Sequence, residues 1–267
     1  LLPGELIQFA LNRCKIEKIQ YYDICNIDCA DSFTEEILKK SVRDQLMSDE
    51  PVGVQLSGGI DSSLIAISAK QFSKHRLSTF SIGLSDKKWN EFDYSDFIAK
   101  KLRTDHHKIF FSKSDFNKLL PKITYHLDEP LVHPNTIPMY ILAKEARKYT
   151  KVLLTGEGAD EIFYGYNRYF DQKLQSNNDI LFSNLFNTPA SVSKIIKKGG
   201  SYMKERTRIL YNIPRHIRSD AKISYYDLCT YLPHVLQRQD KAGMAANIEN
   251  RVPFLYESVV ESGFYMQ

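Results

Sequence analysis

At 267 residues, with 43% hydrophobic and 25% charged side chains, the chain has the composition of an ordinary globular protein and enough apolar material for an unstapled core. A net charge of +4 is too small to argue for nucleic acid or an anionic membrane as partner, and no apolar run is long enough to span a bilayer. The four cysteines, Cys14, Cys25, Cys29 and Cys229, form no C-x-x-C pair and no zinc-ligand spacing, and are read as reduced thiols of a cytoplasmic protein.

In chain order, "ELIQFAL" and "KIEKIQYYD" on either side of Asn12-Arg13 predict a hairpin within residues 1–30. From Asp31 to about Met47 the apolar residues Ile37, Leu38, Val42 and Leu46 recur at helical spacing, with Asp31 or Ser32 as the expected cap and Pro51 beyond the end. A buried strand, "PVGVQL" (51–56), runs into Ser57-Gly58-Gly59-Ile60-Asp61-Ser62-Ser63 and then the helical run "LIAISAKQF". Further strands are expected at 77–84, 106–111 and 151–155, and helices at about 92–103, 115–127 and 136–149. The last of these strands enters Gly156-Glu157-Gly158-Ala159-Asp160-Glu161.

Residues 171–222 are rich in polar, turn-forming and basic side chains and read as a solvated helical insertion or lid. The stretch from about 225 to 250 reads as helical and leads into Arg251-Val252-Pro253-Phe254-Leu255. Beginning at Leu1 and ending in "SGFYMQ", the chain reads as a fragment clipped at both ends.

Strands alternating with helices predict an α/β fold, a doubly wound five-stranded parallel sheet with helical additions. Ligands of such sheets sit at the carboxyl ends of strands near the topological switch. The serine-glycine loop and the Gly-Glu-Gly loop both follow strands directly, so they share that rim.

The segment "VQLSGGIDSSLIA" delivers a glycine-rich turn straight from a strand into a helix, which aims backbone N–H groups and the helix dipole at one anion. Gly58 and Gly59 let the backbone approach it, and Ser57, Ser62 and Ser63 add hydroxyls. A carboxylate, Asp61, in such a place makes sense with a divalent cation between it and phosphate, so Asp61 is expected to be a magnesium ligand. No lysine follows as in a Walker loop, which favours a grip on pyrophosphate as leaving group.

"SGGIDSS" resembles the PP-loop of the N-type ATP pyrophosphatases, a group that includes asparagine, argininosuccinate, GMP and NAD synthetases and tRNA-thiolating enzymes. "TFSIGL" (79–84) is similar to the second strand of the asparagine synthetase group. That likeness implies that the Ile82 and Gly83 backbone holds adenine, with Leu56 nearby. "LLTGEGADEIFYGY" (153–166) resembles the adenylate-binding and catalytic loop of the asparagine synthetase and β-lactam synthetase families. This implies Thr155 and Gly156 at the nucleotide, Glu157 in acid/base work and Asp160 at magnesium–pyrophosphate. A base is what amide formation from an acyl adenylate needs, to take a proton from the attacking amine.

"QRQDKAGMAANIENRVPFL" (237–255) is similar to the family's region after that loop and implies Asp240, Glu249 and Arg251 as substrate contacts. Read from the residues alone, Arg251 is a structural ion pair with Glu249. Tyr256 stands where the family has Asp. "DEPLVHPNTIPMYILAKEA" (128–146) is also similar to a family stretch, and the opening hairpin resembles the last strands of the glutamine-hydrolysing domain. The family's N-terminal cysteine nucleophile and its later lysine segment have no counterpart here.

The resemblance implies a HUP-like fold of the adenine nucleotide alpha hydrolase type. It divides the chain into a glutaminase-type remnant (1–30) and a C-terminally truncated synthetase domain (31–267). The expected reaction uses ATP and magnesium: a carboxylate, by default aspartate, becomes an acyl adenylate and is then amidated by ammonia drawn from glutamine in the full-length chain. The alternatives are another acid (a sugar uronate, an antibiotic precursor or a peptide), a tRNA-thiolating enzyme, and a non-catalytic ATP-binding protein. A homodimer through the missing glutaminase domain is the assembly the resemblance would allow, with neither nucleic acid nor membrane as partner.

Overall fold

A computed structural model describes residues 1–12, 14–27, 32–84, 90, 92–170, 176–183, 201–214 and 217–266. The strands are β1 (Glu5–Ala10), β2 (Lys15–Gln20), β3 (Val52–Gln55), β4 (Ser78–Leu84), β5 (Asp105–Phe111), β6 (Val152–Leu154) and β7 (Glu249–Arg251). The helices in the first part of the chain are α1 (Glu35–Gln45), α2 (Ile60–Phe72), α3 (Phe92–Leu102), α4 (Lys113–Leu127), α5 (Thr136–Ala146) and α6 (Ala159–Phe163). Those that follow are α7 (Asn177–Phe182), α8 (Ser201–Tyr211), α9 (Ser219–Thr230), α10 (Leu232–Met244) and α11 (Glu257–Tyr265). By packing, the chain forms two compact units. One comprises Leu1–Ser32, Asp160–His234 and Val260–Gln267, the other Phe33–Ala159 and Val235–Val259. That division follows packing, so it cuts the chain elsewhere than at residue 30.

The second unit is the expected α/β domain. Its parallel sheet has the order β5-β4-β3-β6-β7, so the chain winds outward from β3 through β4 to β5 and then returns to the far side of β3. The switch point lies between β3 and β6. Phe80, Ile109 and Leu153 from the strands pack with Ile123 and Leu127 of α4, Ile137 and Tyr140 of α5 and Ala242 of α10. Thr79 and Ser81 alternate with Phe80 and face the other side of β4, where α1 packs on α2 and α2 on α3. The side chains of Val42, Val54, Leu56, Ile65 and Phe80 are fully buried, each contributing ~1.5–3 kcal/mol.

Local rules set most of the boundaries. Thr34, rather than Asp31 or Ser32, caps α1: its Oγ1 accepts from the Ile37 N–H, and Glu35 and Glu36 fill the first turn. Asp31 lies outside the described residues. Ser112 and Asp115 close a capping box at the start of α4, two residues before the expected start at 115. The stretch read as helical to 250 instead ends at Met244. Asn247 takes a left-handed turn at φ +58, and Glu249–Arg251 then pair with β6 as the fifth strand of the sheet.

In the other unit, β1 and β2 form the expected antiparallel hairpin, in register from Glu5↔Gln20 to Ala10↔Lys15. Ile24 and Cys25 join Ile180 and Leu181 of α7, Ile209 and Leu210 of α8, Tyr226 of α9 and Phe264 of α11 in a separate core. Of the basic tract 171–222, residues 171–175, 184–200, 215 and 216 lie outside the described residues, and most of the described remainder is helical. No described helix is long and apolar enough to cross a membrane.

Candidate active site

The strand β3 ends at Gln55, and residues 56–59 carry the chain into α2 at the switch point. Gly58 sits at φ +92, and a Cβ there would lie 2.5 Å from the Tyr94 Cβ and 2.6 Å from the Ser95 N. Only glycine fits both that conformation and the close approach of α3. Gly59 caps α2 with no side-chain hydrogen bond, so no cap side chain covers the first-turn amides, which remain the natural seat for an anion.

The serines divide their work. Ser57 Oγ lies 2.9 Å from Ser62 Oγ and accepts from the Gly59 N–H at 3.2 Å, while Ser62 Oγ accepts from the Ser57 N–H at 3.2 Å. Those two hydroxyls shape the loop. Ser63 Oγ is buried with no hydrogen-bond partner, as is Thr155 Oγ1 on the neighbouring strand end. A buried hydroxyl without a partner is costly unless a ligand or water completes it.

The second loop leaves β6 beside the first. A Cβ on Gly156 would lie 3.1 Å from the Ser62 N and 3.2 Å from the Asp61 Cβ, so Gly156 rests directly on the first turn of α2. The Thr155 N–H donates to Arg251 O at 2.9 Å, tying this loop to β7. Gly158, at φ +90, packs against Leu255, whose Cδ2 would stand 2.5 Å from an added Cβ. The path of the Gly-Glu-Gly turn is therefore fixed on both sides, and Glu157 and Asp61 are half-buried within the same unit.

Leu56, directly before the serine-glycine loop, is fully buried. Ile82 and Gly83 precede Leu84, the last residue of β4, and the Cβ side of Gly83 is filled by Asn90 and Phe92. Asp160 lies in the first turn of α6 and belongs to the other unit. Burial raises its carboxyl above the usual range while Arg168 opposes the rise. Gly165 makes room for that carboxyl: an added Cβ would fall 1.8 Å from Asp160 Oδ1. Among the described residues no three His, Cys, Asp or Glu side chains gather as a cage for a metal ion.

Asp240 is exposed on α10. Arg251 caps the end of α1, donating Nη1 to Gln45 O at 2.6 Å and Met47 O at 2.8 Å, and Nε to Glu249 Oε1 at 2.7 Å. That is the ion pair expected from the residues alone. Tyr256 receives a hydrogen bond from Lys40 Nζ at 2.6 Å and donates to Asp44 Oδ2 at 2.9 Å, so it too is engaged with α1. Lys241 is held by Leu127 O and by Asp128. Cys25 is buried, and its thiol is pushed up to about 12, chiefly by that burial. Such a thiol is a poor nucleophile. Cys29 lies outside the described residues.

The sequence reading missed Ser81, whose hydroxyl donates to Leu56 O directly before the loop. The available signal was the pair of polar residues, Thr79 and Ser81, on either side of Phe80 in β4.

The family model for asparagine synthase matches residues 34–265. Asparagine synthetase (glutamine-hydrolyzing) 1 of Bacillus subtilis is 32% identical over 275 residues, covering 85% of this chain and 43% of that protein. A putative asparagine synthetase (glutamine-hydrolyzing) of Mycobacterium bovis is 32% identical over 259 residues, covering 82% of this chain and 40% of that protein. The chain thus spans about two fifths of the length of these curated relatives. Among solved structures, an NH3-dependent NAD synthetase from Campylobacter jejuni overlays with a TM-score of 0.40 at 15% identity, over 76% of this chain and 93% of that one. That overlap is too loose to bear on the site.

Proposed function

The chain belongs to the asparagine synthase family, and from that premise we propose that it carries the ATP-dependent amide-forming site of a cytoplasmic ligase, with aspartate as the carboxylate. The supporting observation is the meeting of two strand-end loops across the switch point: Gly156 rests on the backbone of Asp61 and Ser62. The partnerless hydroxyls of Ser63 and Thr155 flank that contact.

In this reading the first-turn amides of α2 and the Ser63 hydroxyl take the phosphates, and the rim at Ile82 and Gly83 takes the adenine, with the buried Leu56 packing nearby. A substrate carboxylate oxygen attacks the α-phosphorus, the bond to the bridging oxygen breaks, and pyrophosphate leaves. Ammonia, derived from glutamine in the full-length protein, then attacks the acyl carbon. Glu157 takes the proton, and AMP leaves with the electron pair of the acyl–oxygen bond. Asp61 would hold magnesium, which would neutralise charge on the departing pyrophosphate. A site that binds magnesium through carboxylate, phosphate and water needs no all-protein cage. Asp160 is assigned the same duty by the sequence resemblance alone. Of the substrate contacts that the resemblance implies, Asp240 is retained. Arg251 is engaged without a substrate by the end of α1 and by Glu249, and Glu249 by its pair with Arg251.

The test is Asp61→Asn in the full-length protein. Pyrophosphate release should fall by at least ~10²-fold, the usual effect of losing a charge-stabilising group at the reacting phosphate, with the circular dichroism spectrum unchanged. A well-folded variant with undiminished release would reject the assignment.

A further inference from the structure

We propose that Ser81, a residue of β4 outside both loops, is a positioning residue for the phosphate loop. The proposal rests on the reading of residues 57–63 as the loop that grips nucleotide phosphate.

The peptide between Leu56 and Ser57 is where β3 leaves the sheet. The ladder with β4 pairs Gly53 with Ser78 through Gln55 with Phe80, and the Leu56 N–H still reaches Phe80 O at 2.8 Å. At the next peptide two serine hydroxyls take over. The Leu56 carbonyl accepts from Ser81 Oγ, and the Ser57 N–H donates to Ser62 Oγ. One peptide plane is thus clamped on both edges, from the loop's own helix on one side and from the neighbouring strand on the other.

That plane sets the direction in which the chain enters Gly58, whose conformation and contact with Tyr94 and Ser95 leave little freedom. Ser81 is 4% exposed, so water does not readily replace it. Its neighbour on the same face, Thr79, is fully buried and bonds to Thr104 Oγ1 at 2.8 Å and His106 Nδ1 at 2.9 Å. The two hydroxyls occupy equivalent places on one strand, yet only Ser81 reaches the loop.

Removing the Ser81 hydroxyl leaves the Leu56 carbonyl without this donor and lets the peptide sample orientations in which the loop amides point elsewhere. A nucleotide then binds only the competent fraction, which raises its apparent dissociation constant by the reciprocal of that fraction. The acid and the chemical step are left alone.

The experiment compares wild type, Ser81→Ala and Thr79→Ala in the full-length protein by carboxylate-dependent exchange of labelled pyrophosphate into ATP, with thermal melts to match stability. Ser81→Ala should raise the KM for ATP about fivefold to tenfold, the worth of one lost hydrogen bond. The KM for the acid and kcat should stay within about twofold. Thr79→Ala should be destabilised to a similar degree and keep the wild-type KM for ATP. Ser81→Cys, which keeps a side-chain group at the position but offers a weaker donor, should give an intermediate rise and serves if Ser81→Ala does not fold. An unchanged KM for ATP in the Ser81 variants, or an equal rise in Thr79→Ala, would overturn the proposal while leaving the function standing. Wild type without exchange would overturn both.

Discussion

Glu157 stands between two glycines that do different work. Gly156 presses the turn onto the first turn of α2, and Gly158 turns the chain at φ +90 under Leu255. The carboxylate is thereby held at a strand end without a helix of its own. Glu157→Gln should lower amide synthesis by ~10²–10⁴-fold, the usual worth of a general base, while carboxylate-dependent pyrophosphate exchange persists. A drop of less than tenfold in amide synthesis would show that the base lies elsewhere. A second residue-scale expectation concerns His106. Burial holds its imidazole below the ordinary value, Asp96 opposes, and Lys108 and His107 reinforce the fall. The unfolded chain therefore takes up a proton near pH ~6.5 while the folded chain does not until lower pH. Stability from this residue is complete above that value and is lost as pH falls through the folded pKa. Urea unfolding of His106→Gln should show a shallower loss of stability between about pH 7 and about pH 5 than wild type; equal slopes would contradict it. At this scale the site was largely legible, because Asp61, Glu157 and the glycines are local signals at strand ends. Ser81 was not, because its role depends on a partner twenty-five residues away.

At the scale of elements, the side chains of the segment Glu249–Tyr256 are engaged largely with α1 and with each other. The likeness to a family region suggested substrate contacts, but Arg251 spends its guanidinium on the α1 carboxyl end, Ser41 Oγ donates to Pro253 O at 2.6 Å, and Tyr256 bridges Lys40 and Asp44. Arg251→Ala should cost about 2 kcal/mol in urea unfolding, the scale of hydrogen bonds from a charged donor, and leave the KM for the acid within about twofold. A variant of wild-type stability with a much raised acid KM would restore Arg251 to the substrate. The strand β7 was invisible in the sequence because three residues carry no period, and only pairing with β6 makes them a strand. The cap of α1 was misplaced for a smaller reason: Asp31, Ser32 and Thr34 are all good caps, and the choice falls to the one whose oxygen meets the Ile37 N–H.

For the molecule as a whole, the alternation of strands and helices was enough to give a parallel, doubly wound sheet. The sheet order itself, β5-β4-β3-β6-β7, came from the structure and places β3 beside β6. The two compact units were less legible. One core gathers Ile24 and Cys25 with residues from Ile180 to Phe264, and no local pattern joins residues so far apart in the chain. The central claim is that this chain carries a site for carboxylate adenylation. The most direct test is exchange of labelled pyrophosphate into ATP by the full-length protein, with magnesium and each of a panel of carboxylic acids supplied in turn. Exchange should require both magnesium and an acid, be greatest with aspartate, and disappear in Asp61→Asn. Cleavage of ATP to ADP and phosphate with no exchange under any acid would contradict that claim.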